Sequence, residues 1–426
     1  MASGPTAPTH ATATTHATAP AHPIAPTRPT APSRPSGPAG FSETLGSLRG
    51  LAASTVVLYH GLMIARLGPI DDAHDLPVDW SSPLLMVQHA LLAAFNGSAA
   101  VILFFVLSGT VLSLSLARET RFGPRELAAY YVKRGFRLGP LLAAVAVIAG
   151  ILHLRYFGPD SYGFATSWMN WHFKHDPGMG EIAANAIGWS DSLNSPAWTI
   201  FIEIVASIVF PVLFVLAGPG RPHLAIAAGL ALLAFVPLPL RGAHMFMVCF
   251  FVGALIPSLG APVAARFRAW PRRGRWTALA LALLAMGWFQ RFYAPAAFVD
   301  PAVMLVNTAA AAFLVTIVYH DPGARVLRSR PLLFLGEISY GLYLMHFLVL
   351  FVIAHAVAPW IPAPLDPAVA IVANLLFGVA TLAVTVPIAA ASYYLFERPF
   401  QDIGRRVARS LRTAGAARLG PLGRTG

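Results

Sequence analysis

The sequence predicts an all-α fold, a polytopic transmembrane helix bundle of about ten spans with both termini cytoplasmic. Three observations predict it. Hydrophobic residues make up 56% of the 426 positions and charged residues 11%, where a soluble domain carries about 25% charged residues. Apolar runs long enough to cross a bilayer recur from Leu45 onward. Lys and Arg, finally, gather on alternate connections between those runs. Mean hydropathy is +0.63, which excludes an ordinary soluble enzyme and a disordered chain. One cysteine, Cys249, cannot form an internal bridge and argues against a cysteine-based metal site. The net charge of +12 lies in short blocks between apolar runs, so no nucleic-acid partner is expected.

Residues 1–40 hold 10 Ala, 9 Pro, 8 Thr and 3 His. Such a segment has little to bury and is expected to be a disordered tail. It lacks the apolar stretch of a signal peptide. The transmembrane domain is placed at 41–400 and a basic cytoplasmic tail at 401–426. The ten spans fall at 45–65, 98–117, 138–156, 197–217, 223–240, 243–259, 276–293, 301–319, 338–358 and 368–396. The short apolar segment 84–96 reads as an interfacial or re-entrant piece. With the N-terminus inside, 25 of the 30 basic residues face the cytoplasm, and only Arg66, Arg155, Lys174, Arg241 and Arg291 stay outside. The positive-inside rule favours this orientation, and the inner face then carries a net charge of +18.

Ionisable groups inside spans are costly, and each is a functional candidate. Arg49 and His60 are eleven residues apart in the first span. On a helix that spacing returns to within about 20° of one face and rises roughly 16 Å. Arg49 alone reads as a snorkelling or topology-setting residue, and His60 alone as a buried histidine; together on one face they are harder to dismiss. In the second span, Ser108-Gly109 is a small pair suited to close helix packing. Lys133, Arg134 and Arg137 precede Pro140. They supply inside charge or a phosphate-binding cluster, since guanidinium forks match phosphate oxygens. Glu203, in the fourth span, must be neutral or paired, with His60 or an arginine as partner. Ser339, Tyr343 and His346 fall on one face of the ninth span, with Tyr340 one position off; an interhelical hydrogen-bond seam is the first reading and catalysis the second. Glu397 and Arg398 read as a local ion pair. The remaining histidines are taken as interface residues. No metal site is expected, and the nucleotide-loop and zinc-helix signatures are absent.

These blocks, in this order, resemble the membrane acyltransferase-3 family, the integral membrane O-acyltransferases of bacterial surface sugars. The resemblance runs from about Leu48 to Pro399. It rests on Arg-x10-His at 49–60, Phe-Phe-x-x-Ser-Gly at 104–109, Arg-x-x-Arg at 134–137 before Pro140, and Trp-Thr-x-x-x-Glu at 198–203. Ser-Tyr-x-x-Tyr-Leu-x-His at 339–346 and Tyr-x-x-x-Glu-x-Pro at 393–399 complete it. Thr110 and Gly139 depart from the pattern. The resemblance implies acyl transfer, with acetyl as the default group, from cytoplasmic acyl-coenzyme A to a hydroxyl of a carbohydrate, glycolipid or other acceptor. It also implies a multi-pass protein of the inner (plasma) membrane. Acyl-coenzyme A is a donor substrate, and no permanently bound cofactor is expected. No esterase-like domain follows the last span, so the chain acts alone or hands the acyl group to a separate extracytoplasmic transferase. In this reading His60 is the general base, Glu203 orients it and His346 is a second proton carrier. Arg49, Arg134, Arg137 and Lys133 attract the donor. Ser108, Gly109, Ser339, Tyr340, Tyr343 and Glu397 support the substrate or the scaffold. The alternative is a proton-coupled secondary transporter or exporter of a small metabolite, with His and Glu as its relay; the absence of an internal repeat speaks against it.

Overall fold

The computed structural model describes residues 41–118, 123–156, 162–172, 176–297, 299–320 and 325–416. The Ala/Pro/Thr-rich segment 1–40, Lys174, His175 and the end of the basic tail lie outside the described residues. Among the described residues there is no strand, only two isolated bridge pairs, Ala65 with Ala165 and Leu67 with Ile70.

The helices are α1 (Phe41–Gly61), α2 (Pro83–Ala94), α3 (Gly97–Ala117), α4 (Pro124–Arg155), α5 (Ser167–Trp171), α6 (Met179–Ala186), α7 (Trp198–Leu216) and α8 (His223–Leu233). They continue with α9 (Met247–Ala269), α10 (Arg272–Tyr293), α11 (Pro301–His320), α12 (Arg330–Glu337), α13 (Ser339–Val357), α14 (Pro367–Ser392) and α15 (Arg398–Ala416). Every one of the ten expected segments coincides with a helix. Among the described residues, seven helices are long and apolar enough to cross a membrane. One expected span is shorter than the sequence suggested. The 223–240 run is helical only to Leu233, an eleven-residue helix, against the roughly 20 residues a bilayer crossing needs. Pro237 and Pro239 follow it, and each removes a backbone donor. The 84–96 piece is the separate helix α2, capped by Ser82, and Asn96 restarts the chain as α3 by accepting from the Ala99 N–H.

α1 runs through the middle of the bundle and packs on α3, α12, α13 and α14. It is gripped beside both of its polar residues. A Cβ on Gly50, next to Arg49, would lie 2.5 Å from the Leu335 carbonyl carbon. One on Gly61, next to His60, would lie 2.3 Å from Gly378 Cα. Only glycine permits such backbone approach, so α1 cannot rotate without a clash. The α3–α9 crossing is built the same way: a Cβ at Gly109 would meet the Phe250 carbonyl oxygen at 2.2 Å, and one at Gly253 the Val106 carbonyl oxygen at 2.2 Å. Thr110 fits that crossing because its hydroxyl donates within it, to the Val106 and Gly253 carbonyls at 3.0 Å each. Helix association in a membrane depends on such close packing and hydrogen bonding.

The C-terminal end differs from expectation. Residues 398–416, which take in the start of the basic segment, form the amphipathic helix α15, which lies along α4, with Gly404 against the Phe136 ring. A π-helical turn, Tyr393–Glu397, joins it to α14. That turn carries Glu397 inward, 4% exposed, against Gly341 of α13, while Arg398 stays exposed. The expected Glu397–Arg398 pair is therefore not made.

Candidate active site

Eleven helical steps along α1 separate two different groups of side chains. At the Arg49 end, α1, α3, α4 and α7 converge. Glu203 of α7 accepts a hydrogen bond from the Ser108 hydroxyl at 2.6 Å, and its other oxygen lies 3.7 Å from the Arg134 guanidinium. Arg134 Nε also donates to the Ser207 hydroxyl at 2.9 Å, and Ser207 donates to the Glu203 carbonyl at 2.6 Å. Glu203 is thus held in its ionised form by a cation and a hydroxyl, as a carboxylate at this depth requires. Arg49 and Arg137 flank this pair, and neither has a protein hydrogen-bond acceptor among the described residues. Their N–H groups face two adjoining cavities. One, of about 580 Å³, is lined by Arg49, Ser108, Tyr130, Lys133, Arg134 and Arg137. The other, of about 490 Å³, has Arg49 and Arg137 in its wall as well, with Phe104, Glu203, Tyr340 and Tyr343.

At the other end, His60 Nδ1 lies 2.8 Å from His346 Nε2. The ring centroids are 5.1 Å apart and the planes 9° apart, so the two imidazoles meet edge to edge, almost coplanar. The tautomers follow from the partners. His346 Nδ1 is 2.5 Å from the Tyr343 carbonyl, and a carbonyl only accepts, so Nδ1 carries the hydrogen. His346 is fully buried with no carboxylate in contact, and a neutral ring has its lone pair on Nε2. His60 Nδ1–H then donates to it, which leaves the lone pair of His60 on Nε2. That atom has no protein partner, and His60 lines a third cavity, of about 730 Å³, with Tyr59, Met63, Trp168, Trp198 and Tyr343. Tyr343 and Val101 are shared with the wall of the second cavity. The three spaces therefore follow one another along α1, from the arginines to the histidine.

Trp168, on the short helix α5, closes this end. Its ring is 5.7 Å from that of His60 and 13° from parallel. Two carboxylates fix α5 at its start: Asp71 accepts from the Ser167 backbone N–H and hydroxyl, and Asp72 from the Trp168 N–H. Thr166 adds a bond to the Met63 carbonyl just past the end of α1. Burial disfavours the charged form of the two histidines that flank Trp168, His74 and His172. Burial pushes His74 down to about 4, against the opposing charge of Asp75. Burial likewise lowers His172, partly offset by its bond to the Trp168 carbonyl.

The site residues expected from the sequence fall into two sets. Arg49, Ser108, Lys133, Arg134, Arg137, Glu203 and Tyr340 gather at one end, His60 and His346 at the other, and Tyr343 stands between them. The expected His60–Glu203 pairing is not made: Glu203 is engaged by Ser108 and Arg134, and His60 by His346. Ser108 does more than pack, since it orients Glu203. Gly109 lies in the α3–α9 crossing. Ser339 bonds locally to the Gly336 carbonyl, whereas Tyr340 and Tyr343 bond across helices, Tyr340 to the Leu138 carbonyl of α4 and Tyr343 with Thr199 of α7 at 3.0 Å. Of the other histidines, His89, His153 and His244 are buried rather than interfacial. Tyr59, Thr199 and Arg291 were missed. Arg291, at the outer end of the expected span 276–293 and counted with the outside basic residues, is 1% exposed on α10 and donates to the His74 carbonyl at 2.7 Å. Its position inside an apolar helix was the only signal. Among the described residues no cluster of three or more His, Cys, Asp or Glu could hold a metal ion.

The fold is a helix bundle with apolar, membrane-length helices, and polar side chains are gathered within it at both ends of α1. The comparison with protein families agrees: residues 44–394 match the acyltransferase-3 model, described as an acyltransferase domain. The match covers most of the chain, and the protein belongs to this family of membrane acyltransferases, which transfer groups other than amino-acyl groups. No curated protein and no solved structure matches the chain.

Proposed function

We propose that the protein is an O-acyltransferase of the inner membrane. It moves an acyl group, acetyl by default, from acyl-coenzyme A in the cytoplasm to a hydroxyl of a carbohydrate-containing acceptor. The observation that carries this reading is the run of cavities along α1, with unpartnered guanidinium groups at one end and an unpartnered imidazole nitrogen at the other. Coenzyme A fits that polarity. Its phosphates meet Arg49 and Arg137, with Lys133 at the rim, and guanidinium–phosphate hydrogen bonds are among the stronger ones. Arg134 contributes charge but is committed to Glu203. The flexible pantetheine arm threads past Tyr343 and presents the thioester in the His60 cavity. With both termini cytoplasmic, the basic inner face concentrates the polyanionic donor, and the acceptor enters from the opposite side beneath Trp168.

The chemistry is then general-base catalysis. His60 Nε2 takes the proton of the acceptor hydroxyl as its oxygen attacks the thioester carbonyl. The carbon–sulfur bond breaks, an oxygen ester forms, and the imidazolium returns the proton to the leaving thiolate as free coenzyme A. His346 holds His60 in the tautomer this needs. Glu203 acts at a distance, as the counter-ion that keeps three arginines together. His60→Ala protein in lipid nanodiscs is expected to lose transfer from radiolabelled acetyl-coenzyme A by about 10²–10⁴-fold, the usual worth of a general base, with normal yield and thermal stability. Retained transfer would remove His60 from the mechanism. A wild-type protein that neither hydrolyses nor transfers the label would point to transport.

A further inference from the structure

The surface of α15 carries charge that the proposed reaction does not use. The helix holds five arginines, Arg398, Arg405, Arg406, Arg409 and Arg412, against one acid, Asp402. Asp402 engages Arg405. Arg406 and Arg409 are exposed and line neither donor cavity, and their guanidinium groups make no hydrogen bond or ion pair among the described residues. At about 100° per residue the helix divides into three sectors. Gly404 and Ala408 are buried, Gly404 against the Phe136 ring of α4. On the neighbouring sector Ile403 and Val407 stand one turn apart, 41% and 38% exposed. Arg398, Arg405 and Arg409 share the third sector, nearly opposite that apolar pair. Leu395, in the π-helical turn before α15, is 80% exposed. A helix bathed in water on its free side usually turns its apolar stripe to the core; α15 shows part of its stripe outward.

We infer that α15 lies on the surface of the bilayer and binds the headgroups of anionic phospholipids there. An apolar strip on one side and a basic sector on the other suit the boundary between acyl chains and headgroups. Position along the chain agrees. The 26 residues of α14 rise about 39 Å, more than a hydrocarbon core of about 30 Å, so α15 starts once the chain has crossed. Ile403 and Val407 then dip into the acyl boundary, α4 holds the Gly404 side, and the arginines meet the headgroups. Charge selects the lipid. The helix carries a net charge of +4; a zwitterionic headgroup offers no net attraction, whereas an anionic surface holds each nearby arginine by about a fivefold factor. Arginine forks also match the lipid phosphate oxygens. This role depends on the membrane class of the chain and not on acyl transfer, and neither readout below uses activity.

The test uses full-length protein in nanodiscs of phosphatidylcholine alone or of phosphatidylcholine with phosphatidylglycerol. Hydrogen exchange across 398–413 is expected to be slower by about tenfold with phosphatidylglycerol, within the roughly twenty-fivefold that two free arginines can supply. High salt should remove the difference, because exposed charges are screened. Arg406→Gln with Arg409→Gln should cancel most of it. Equal exchange in the two lipids overturns the assignment, and so does a phosphatidylglycerol effect that survives in the double variant. Placement is read separately by spin labels on Ile403→Cys and Arg409→Cys, since the native Cys249 is buried. The label at 403 should relax faster with oxygen, which concentrates among acyl chains, and the label at 409 with a water-soluble nickel chelate. Preference for nickel at both positions overturns the interfacial placement by showing a helix that stands in water. Dipolar broadening between labels of two copies overturns it in favour of a contact between protomers.

Discussion

The two ends of α1 handle polarity inside the membrane in opposite ways. At the Arg49 end, charge is kept and paired: one carboxylate stands among three guanidinium groups, and the surplus positive charge faces open cavities. At the His60 end, charge is avoided: two neutral imidazoles share one hydrogen, a carbonyl fixes the direction of the chain, and aromatic rings close the space. In the proposed reaction the difference follows from the work of each end. Binding a polyanion needs permanent cations, and arginine is always protonated. Taking and returning a proton needs a group that changes charge, and a permanent ion beside it would hold that group in one state.

The contrast can be broken or sharpened by substitution at either end. Arg49→Ala with Arg137→Ala should raise the KM for acetyl-coenzyme A about a hundredfold, since each charge-assisted bond is worth roughly 1.5–3 kcal/mol, while turnover at saturating donor changes little. A fall in turnover at unchanged KM would move the arginines out of the binding role. His346→Ala should lower turnover by roughly tenfold, the cost of leaving the His60 N–H unpaired, with donor KM unaffected. His346→Gln supplies an acceptor oxygen and should recover part of the loss; equal losses in both would deny the tautomer role. Glu203→Gln keeps an oxygen for Ser108 but removes the counter-charge. Breaking a buried ion pair costs about 3–5 kcal/mol, and this one, part-exposed and 3.7 Å apart, should cost less, about 1–3 kcal/mol. The measurement is thermal unfolding in detergent, where His60→Ala should stay near wild type and Glu203→Gln should not.

The smallest expected effect concerns the aromatic cover. Burial raises the pKa of Asp71, but hydrogen bonds from the Ser167 hydroxyl and backbone and from the Asp72 N–H, with the charge of Arg66, outweigh it and hold the carboxyl below its ordinary 3.8. A carboxyl depressed in the folded state stabilises it fully above the unfolded value, and the contribution is lost as pH falls through the folded value. Asp72, raised by burial, offsets part of this. Asp71→Asn should loosen 162–172 at neutral pH, seen as faster hydrogen exchange there than in wild type. That difference should begin to shrink only as pH falls below 3.8 and should vanish once it has passed the depressed folded value. A difference that persists in acid would show that Asp71 does not hold α5 by its charge.

Much of this was legible in sequence because the membrane makes polar residues conspicuous. Arg49 and His60 could be placed on one face from their spacing, and the helical class followed from the apolar runs. Pairing was not legible. Glu203 offered His60 and the arginines as equal partners, and the choice depended on how α7 lies against α3 and α4, which residue spacing within one helix cannot report. His346 could be placed on a stripe but not opposite His60, 286 residues away in the chain. Arg291 was passed over because it is a single polar residue with no periodic companion.

The sequence by itself determined that the chain is a helical membrane protein, which polar residues stand out within its apolar runs, and that Arg49 and His60 share a face. Those properties follow from local hydropathy and the fixed period of a helix. Only the tertiary structure decided that the arginines bracket Glu203, that the two imidazoles share a hydrogen, and that three cavities run in line between them. Each depends on close approaches such as Gly61 to Gly378 and Gly109 to Phe250, where distant segments meet with no room for a side chain. Such contacts are set by the packing of the whole bundle, not by any one helix.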